Sequence, residues 1–128
     1  MRLGNLKIII FIFLFFFSYS IYAKPLEGQF VEIQILDKIT AKVKNFKINV
    51  NEYLLFGSLK VQIFACLKNP PEEIPENFVL LKIYDEINKK DQKLVYQGWM
   101  ISSSPASTPL EHPIYDVWLI DCKISDDF

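Results

Sequence analysis

The 128-residue chain holds very little arginine and histidine: Arg2 is its only arginine and His112 its only histidine. Beyond residue 23 all the basic residues are lysine, 14 − 2 = 12 against 15 acidic residues, a net charge of −3. Without arginine the chain lacks the planar fork that reads phosphates and guanine edges. Charge and chemistry therefore argue against nucleic-acid binding. A single histidine and no C-x-x-C pair argue against a metal site, and no cofactor is predicted.

Long hydrophobic runs are absent except at the N terminus. Segment 1–23 opens with two basic residues, continues through the apolar run 8–17 and ends in small and polar residues. This layout is typical of a secretory signal peptide, with cleavage predicted after Ala23. Cleavage after Ser20 and retention as an N-terminal anchor are the alternatives. Even extended to Ile21, the run is 21 − 8 + 1 = 14 residues long, short of the roughly 20 that span a bilayer.

The rest of the chain has the size of one domain. We predict a lead-in and first strand over 24–35, a β-domain over 36–122 and a flexible tail over 123–128, with residues 24–30 also loose. A cleaved leader would place this domain outside the cytoplasm with no stable membrane span.

Cysteine is also scarce, with one pair, Cys66 and Cys122. In an oxidising compartment an even count indicates a disulfide, and only one pairing is possible. The bridge would close a loop of 122 − 66 + 1 = 57 residues. A metal site has too few partners, and a redox pair would be expected closer together in sequence. We expect the two Cα atoms to lie about 4.4–6.8 Å apart.

Apolar and polar residues alternate along most of the chain, the period of a half-buried strand. The alternation covers residues 31–35, 39–43, 46–50, 59–66, 78–84, 94–101 and 114–122. About seven short strands with polar connections predict an all-β fold, an antiparallel β-sandwich or small barrel with one disulfide.

Several details of the strands follow from this alternation. The inward parity changes between residues 43 and 46, so we expect a bulge or turn at Lys44-Asn45. The polar stretch 88–92 is predicted to be a hairpin tip. Strand 114–122 is apolar on both faces and is predicted to be central, with Trp99 and Trp118 in the core.

The proline-rich loop 102–113 raises the question of catalysis. Ser103 or Ser104, His112 and Asp116 are the residue types of a hydrolase triad. No G-x-S-x-G elbow accompanies them, and the loop contains no glycine, so we predict no enzyme. We expect His112 to be a loop residue satisfied by a nearby carbonyl or carboxylate. Asp116 is a charge on an apolar face, expected to accept hydrogen bonds from backbone N–H groups or serines of this loop.

Six short segments carry a family resemblance. They read LDKIT (36–40), FGSL (56–59), PPEE (70–73), GWM (98–100), SSPA (103–106) and LEHPIYDVW (110–118). With them the chain resembles an exported domain family of unknown function found in alphaproteobacteria, over about 36–122 and both cysteines. The resemblance implies a periplasmic location in a Gram-negative cell and supplies no catalytic residues. Family members tend to have glycine at Ala41, so the backbone here is expected to be less kinked than theirs.

The functional prediction is a non-enzymatic binding or assembly factor of the cell envelope, with an envelope protein as its partner. A module that binds a lipid or small apolar ligand is the alternative, and a hydrolase comes third. The surface we favour joins loop 102–113 to loop 69–77. Its structural or binding residues are Ser103, Ser104, Pro105, Glu111, His112, Pro113, Tyr115 and Asp116.

Overall fold

The computed structural model describes residues 3–20, 23–88 and 90–125. Parts of the predicted leader (residues 1–2 and 21–22), Lys89 of the predicted hairpin tip and residues 126–128 of the predicted tail lie outside the described residues. Helix α1 covers Leu3–Phe16, and none of its residues is buried. Across the described ranges, no helix combines the length and apolar character needed to span a membrane.

Two antiparallel sheets and a short 3-10 helix, Pro105–Ser107, follow helix α1 in the described chain. The strands are β1 (Leu26–Glu27), β2 (Phe30–Asp37), β3 (Lys42–Asn49), β4 (Tyr53–Phe56), β5 (Leu59–Lys68), β6 (Asn77–Asn88), β7 (Asp91–Ile101) and β8 (Tyr115–Lys123). The large sheet has five strands in the order β1-β5-β6-β7, with β4 also beside β5. The small sheet has the order β3-β2-β8. The prediction of an all-β antiparallel fold is confirmed, and of its two alternatives, sandwich and small barrel, the two separate sheets correspond to the sandwich.

The core lies between the two sheets and follows the alternation of the sequence. In strands β2, β5, β6 and β8, alternate side chains point inward and are nearly or fully buried. The fully buried set is Val31, Ile33, Ile35, Leu59, Val61, Ile63, Val79, Leu81, Ile83, Cys66 and Cys122. Burying an aliphatic side chain of this size contributes about 1.5–3 kcal/mol to folding.

A buried disulfide ties the end of β5 to the end of β8. Cys66 and Cys122 have their Cα atoms 5.8 Å apart, so the predicted pairing is confirmed. Gly28 lies against both sulfur atoms, and its N–H donates to the Cys66 carbonyl at 2.9 Å. Because Gly28 and its neighbours in β1 and β2 are held in this way, the expectation of loose residues is wrong for 26–30. Lys123, the first residue of the predicted tail, is the last residue of β8.

The first hairpin places its turn earlier than the sequence pattern suggests. β3 pairs with β2 without interruption from Asp37↔Lys42 to Phe30↔Asn49. The prediction of a bulge or turn at Lys44-Asn45 is therefore wrong. The turn is instead at residues 38–41. Since this register sets odd residues of β2 opposite even residues of β3, the change of parity is simply the result of pairing across the hairpin.

The turn ends on Ala41, whose φ is +56°. This left-handed conformation is the one that glycine adopts without cost, so the expectation of a less kinked backbone at this position is wrong. An alanine there is strained because its Cβ approaches the following carbonyl.

We expect Ala41→Gly to raise the free energy of unfolding by about 0.5–1 kcal/mol, because it removes this strain. Urea titration of the purified protein measures the change. Ala106 has no positive φ, and Ala106→Gly is the control, expected to leave stability unchanged or lower it. Equal shifts in the two variants would contradict the interpretation of Ala41.

Two further expectations about the core and the sheet order are wrong. β8 is an edge strand of the small sheet rather than a central strand. Trp99 is 42% exposed on the outer face of the large sheet, and Trp118 is half-buried on the outer face of the small one. Alternation identifies which residues share a face, but it does not identify which face is covered.

Candidate functional site

The outer face of the large sheet is unusually apolar. In an antiparallel sandwich the outer faces are normally polar because they meet water. Here two rows of apolar residues cross three strands: Ala65, Leu80 and Trp99 stand in one row, and Leu67, Phe78 and Ile101 in the next. Phe64, at an irregularity in the register of β5, adds a second exposed aromatic ring. We call this surface the outer patch: Phe64, Ala65, Leu67, Phe78, Leu80, Trp99 and Ile101.

A shallow depression of about 280 Å³ lies within the outer patch. Phe64 and Leu80 form its apolar wall, and Lys82 and Gln97 form its polar wall. The Lys82 ammonium lies 5.5 Å from the centre of the Phe64 ring, a cation–π contact. Lys82 forms no ion pair with any described carboxylate. The rim of the outer patch on this side is therefore cationic.

Loops 69–77 and 102–113 meet at the other margin of the outer patch. Glu76 accepts hydrogen bonds from the Ser102 hydroxyl at 2.9 Å and the Ser103 N–H at 3.0 Å, and it also contacts the Ser103 hydroxyl. Burial raises the pKa of Glu76, but these hydrogen bonds outweigh it and the pKa lies below its ordinary value. Ile74, 85% exposed, stands on the same margin. The two loops predicted to form one surface are thus in contact.

The second half of loop 102–113 is anchored by a buried pair of side chains. The imidazole Nε2 of His112 lies 2.7 Å from Oδ2 of Asp85 on β6. The side chains are only 4% and 9% exposed. We call residues 102–114 the strap, because they run from the end of β7 to the start of β8 with Leu110 also buried.

Backbone contacts fix the tautomer of His112. Its Nδ1 accepts hydrogen bonds from the N–H groups of Ile114 and Tyr115, each at 3.1 Å. Since Nδ1 is an acceptor, the proton of the neutral ring is on Nε2 and is donated to Asp85. Both ring nitrogens are therefore used in holding the strap.

Asp85 is ionised in this pair. Burial raises its pKa, but the hydrogen bond from His112 and the nearby Ser58 hydroxyl favour the charged form, and the pKa lies below its ordinary value. Its second oxygen, Oδ1, is buried without a well-formed hydrogen bond. The carboxylate therefore depends on His112 for most of its stabilisation.

Asp116 has a different role from the one expected. It forms a half-exposed ion pair with Lys38 at 2.9 Å, and it accepts no hydrogen bond from a backbone N–H or serine of the strap in the described structure. The Lys38 ammonium also donates to the His112 carbonyl at 2.8 Å. Asp116 thus acts on the strap only through Lys38, and a pair this exposed contributes at most about 1 kcal/mol.

Of the remaining predicted site residues, five are exposed to solvent and Tyr115 is half-buried. Ser103, Ser104, Pro105, Glu111 and Pro113 are exposed. Tyr115 is half-buried, with its hydroxyl against Gly57, where φ is +56° and a side chain would collide with it. The tyrosine ring also packs against the ring of His112, with 5.3 Å between the two ring centres.

The residues of the considered triad have separate partners. Ser103 contacts Glu76, His112 contacts Asp85, and Asp116 contacts Lys38. Because Nδ1 of His112 accepts two backbone bonds and Nε2 donates to Asp85, neither nitrogen is free to take a proton from a serine. Within the described residues, no three His, Cys, Asp or Glu side chains converge as metal ligands.

Sequence reasoning missed Asp85 and the outer patch. A signal for Asp85 was present, because it continues the inward parity of Val79, Leu81 and Ile83 on β6. A charge at such a position requires a partner, and the single histidine was available. The outer patch had no comparable signal, since an apolar outer face and an apolar inner face look alike in sequence.

Comparison with known proteins places the chain in a family. Residues 31–122 match the family described as an uncharacterized protein conserved in bacteria, DUF2155, and the chain belongs to this family. The chain is similar to the uncharacterized protein RP359 of Rickettsia prowazekii, with 35% identity over 91 residues that cover 71% of this chain. The match spans 59% of the length of that relative. No solved structure matches.

Proposed function

We propose that this protein is a non-enzymatic binding or assembly factor of the bacterial cell envelope, and that the outer patch docks a protein partner. The observation that carries the proposal is the pair of apolar rows on a face that is normally polar. Contiguous exposed apolar surface of this kind marks interaction sites. The family description supports a bacterial domain and leaves its activity open.

The composition of the outer patch favours a protein as the partner. Its centre is aromatic and aliphatic, and its rim carries Lys82, Gln97 and the loop margin around Glu76. An apolar centre with a polar rim is the usual anatomy of a protein interface. Trp99, exposed on the edge strand β7 at one end of the outer patch, is one of the residue types enriched among binding hot spots.

The packing of the interior supports a surface site over a ligand held between the sheets. Fully buried aliphatic side chains from both sheets fill the space where a lipid or small apolar ligand would lie. The depressions within or beside the outer patch, about 280 and 360 Å³, open on the outside of the sandwich. A ligand-binding role would therefore use the same outer surface.

Location outside the cytoplasm is part of the proposal. Helix α1 has no buried residue, as expected of a leader that is removed or held apart from the domain. The buried disulfide suits an oxidising compartment such as the periplasm.

Photo-crosslinking in intact cells of the producing bacterium tests the function. A benzophenone amino acid in place of Trp99 should give one discrete protein adduct, and the second substitution Leu80→Lys should abolish it, because a charge would lie in the centre of the interface. Ile120 is the matched control, 41% exposed on the small sheet, and should give no such adduct.

Three results would contradict the proposal. They are the absence of any adduct at position 99, equal adducts at positions 99 and 120, and an adduct that persists with Leu80→Lys. An adduct at position 99 with a lipid instead of a protein would favour the ligand-binding alternative.

A further inference from the structure

The edge of the large sheet at β7 has open backbone groups. β7 pairs with β6 and with no other described strand. The Ser102 N–H donates to the Asn77 carbonyl at 3.0 Å, so these opposed residues form a hydrogen-bonded pair. In an antiparallel ladder such pairs alternate, so residues 96, 98 and 100 point their N–H and C=O groups toward β6. Residues 97, 99 and 101 point their backbone N–H and C=O groups away from β6, toward the open side of the edge.

These outward groups are almost unused. The one hydrogen bond to them from a described residue comes from the Tyr96 hydroxyl, which donates to the Trp99 carbonyl at 3.1 Å. Gln97 and Trp99 are exposed residues. An edge with free donors and acceptors at regular spacing is a template for another strand.

Both apolar rows of the outer patch end at this same edge. One row finishes at Trp99 and the other at Ile101. A strand added beside β7 would place every second side chain on the outer face, next to these two residues. Apolar side chains at those positions would extend both rows by one strand.

We infer that β7 binds an extended segment of the partner protein as an added strand, through the backbone groups of Gln97, Trp99 and Ile101, with alternate apolar side chains that continue the outer patch. This inference rests on the proposed function and specifies its partner: a segment of about five residues with apolar residues at every second position. The backbone supplies affinity, and the outer patch supplies specificity.

A proline at position 97 tests the inference in the full-length chain. Gln97→Pro removes an N–H that points away from β6, so the ladder and the thermal midpoint should be preserved. It should lower the yield of the position-99 adduct in cells to about a tenth. Gln97→Ala is the matched reference, since it removes the same side chain but keeps the N–H, and Gln97→Pro should give a much lower yield than Gln97→Ala.

The outcomes separate this inference from the proposed function. If Leu80→Lys abolishes the adduct and Gln97→Pro does not, the outer patch binds a folded surface, and only the added strand is overturned. If neither substitution affects the adduct, both proposals are overturned. A dimer of the purified chain that is lost with Gln97→Pro would also overturn the inference, because a second copy would then cover the edge.

Amide hydrogen exchange provides a second test that does not need the variant to fold. In the purified wild-type protein the N–H groups of Gln97, Trp99 and Ile101 should exchange fast, and those of Tyr96, Gly98 and Met100 should exchange slowly. Slow exchange of the first group would show that the edge is already covered, and would overturn the inference.

Discussion

Replacement of both cysteines by alanine is expected to lower the free energy of unfolding by about 4 kcal/mol. The bridge between Cys66 and Cys122 closes a loop of 57 residues (122 − 66 + 1), and its loss frees the unfolded chain to adopt many more conformations. Total stabilities of small domains are about 5–15 kcal/mol, so this loss is large. Urea titration of the wild-type protein and of the double variant measures it.

A substitution at Gly28 tests how the folded protein packs around the disulfide bond, separately from the effect of the bond on the unfolded chain. A side chain at this position would collide with both sulfur atoms. Gly28→Val should therefore be strongly destabilising in the wild-type protein and much less so when both cysteines are alanine. The difference is the coupling energy of a double-mutant cycle.

Two controls complete this experiment. Reductant should shift the urea midpoint of the wild-type protein but not that of the double-alanine variant. Equal midpoints for the wild-type and double-alanine proteins would contradict a stabilising bridge, and additive effects of the Gly28 and cysteine substitutions would contradict the contact between them.

His112→Ala is expected to lower the free energy of unfolding by about 3–5 kcal/mol, because it leaves the Asp85 carboxylate buried without its main partner. The same substitution removes the acceptor for two backbone N–H groups at the end of the strap. Thermal and urea unfolding, with residue-level hydrogen exchange across the strap, would measure the global and local effects.

Two variants test whether the loss of stability in His112→Ala comes from the unpaired Asp85 carboxylate. Glu111→Ala changes the exposed neighbour and should cost less than about 0.5 kcal/mol. Asp85→Leu combined with His112→Phe removes both polar groups and should recover most of the loss. A double variant less stable than His112→Ala alone would contradict the assignment to an unpaired carboxylate.

The same pair determines the response to acid. Folding lowers the pKa of Asp85 below its ordinary value of 3.8. Its contribution to stability is therefore complete above the unfolded pKa and is lost as the pH falls through the lower folded pKa. Asp85→Asn should be less stable at neutral pH and should lose less of its stability between about pH 5 and pH 2. Parallel pH profiles for the two proteins would contradict this.

Much of the fold could be predicted from the sequence because burial in a sandwich has a period of two. Strands β5 and β6 contain the predicted ranges but extend beyond them, β6 as far as Asn88, and the two cysteines lie one or two residues before the ends of their strands. The turn at Ala41 could not be located, because a left-handed alanine has no signature in a single sequence. The central position expected for β8 was wrong because a strand can be apolar on both faces when its outer face carries exposed residues such as Ile120.

The candidate site was less predictable than the fold. No pattern in the sequence indicates that the loops around Ser103 and Glu76 are in contact, because this contact depends on how the strand ends align in three dimensions. Asp116 drew attention because a charge interrupts an apolar strand, although the buried charge is Asp85. Asp85 lies on the buried inner face of β6, whereas Asp116 is half-exposed on β8, and which face of a strand is covered depends on the packing of the sheets.

The position of Gly28 has a consequence for the order in which the molecule matures. A ribosome makes residue 28 long before Cys122, yet this glycine rests on the sulfur atoms that the later residue must join. An oxidant can reach those thiols only while the early segment is still undocked. The bridge is therefore expected to form before the segment around Gly28 docks against the sulfur atoms.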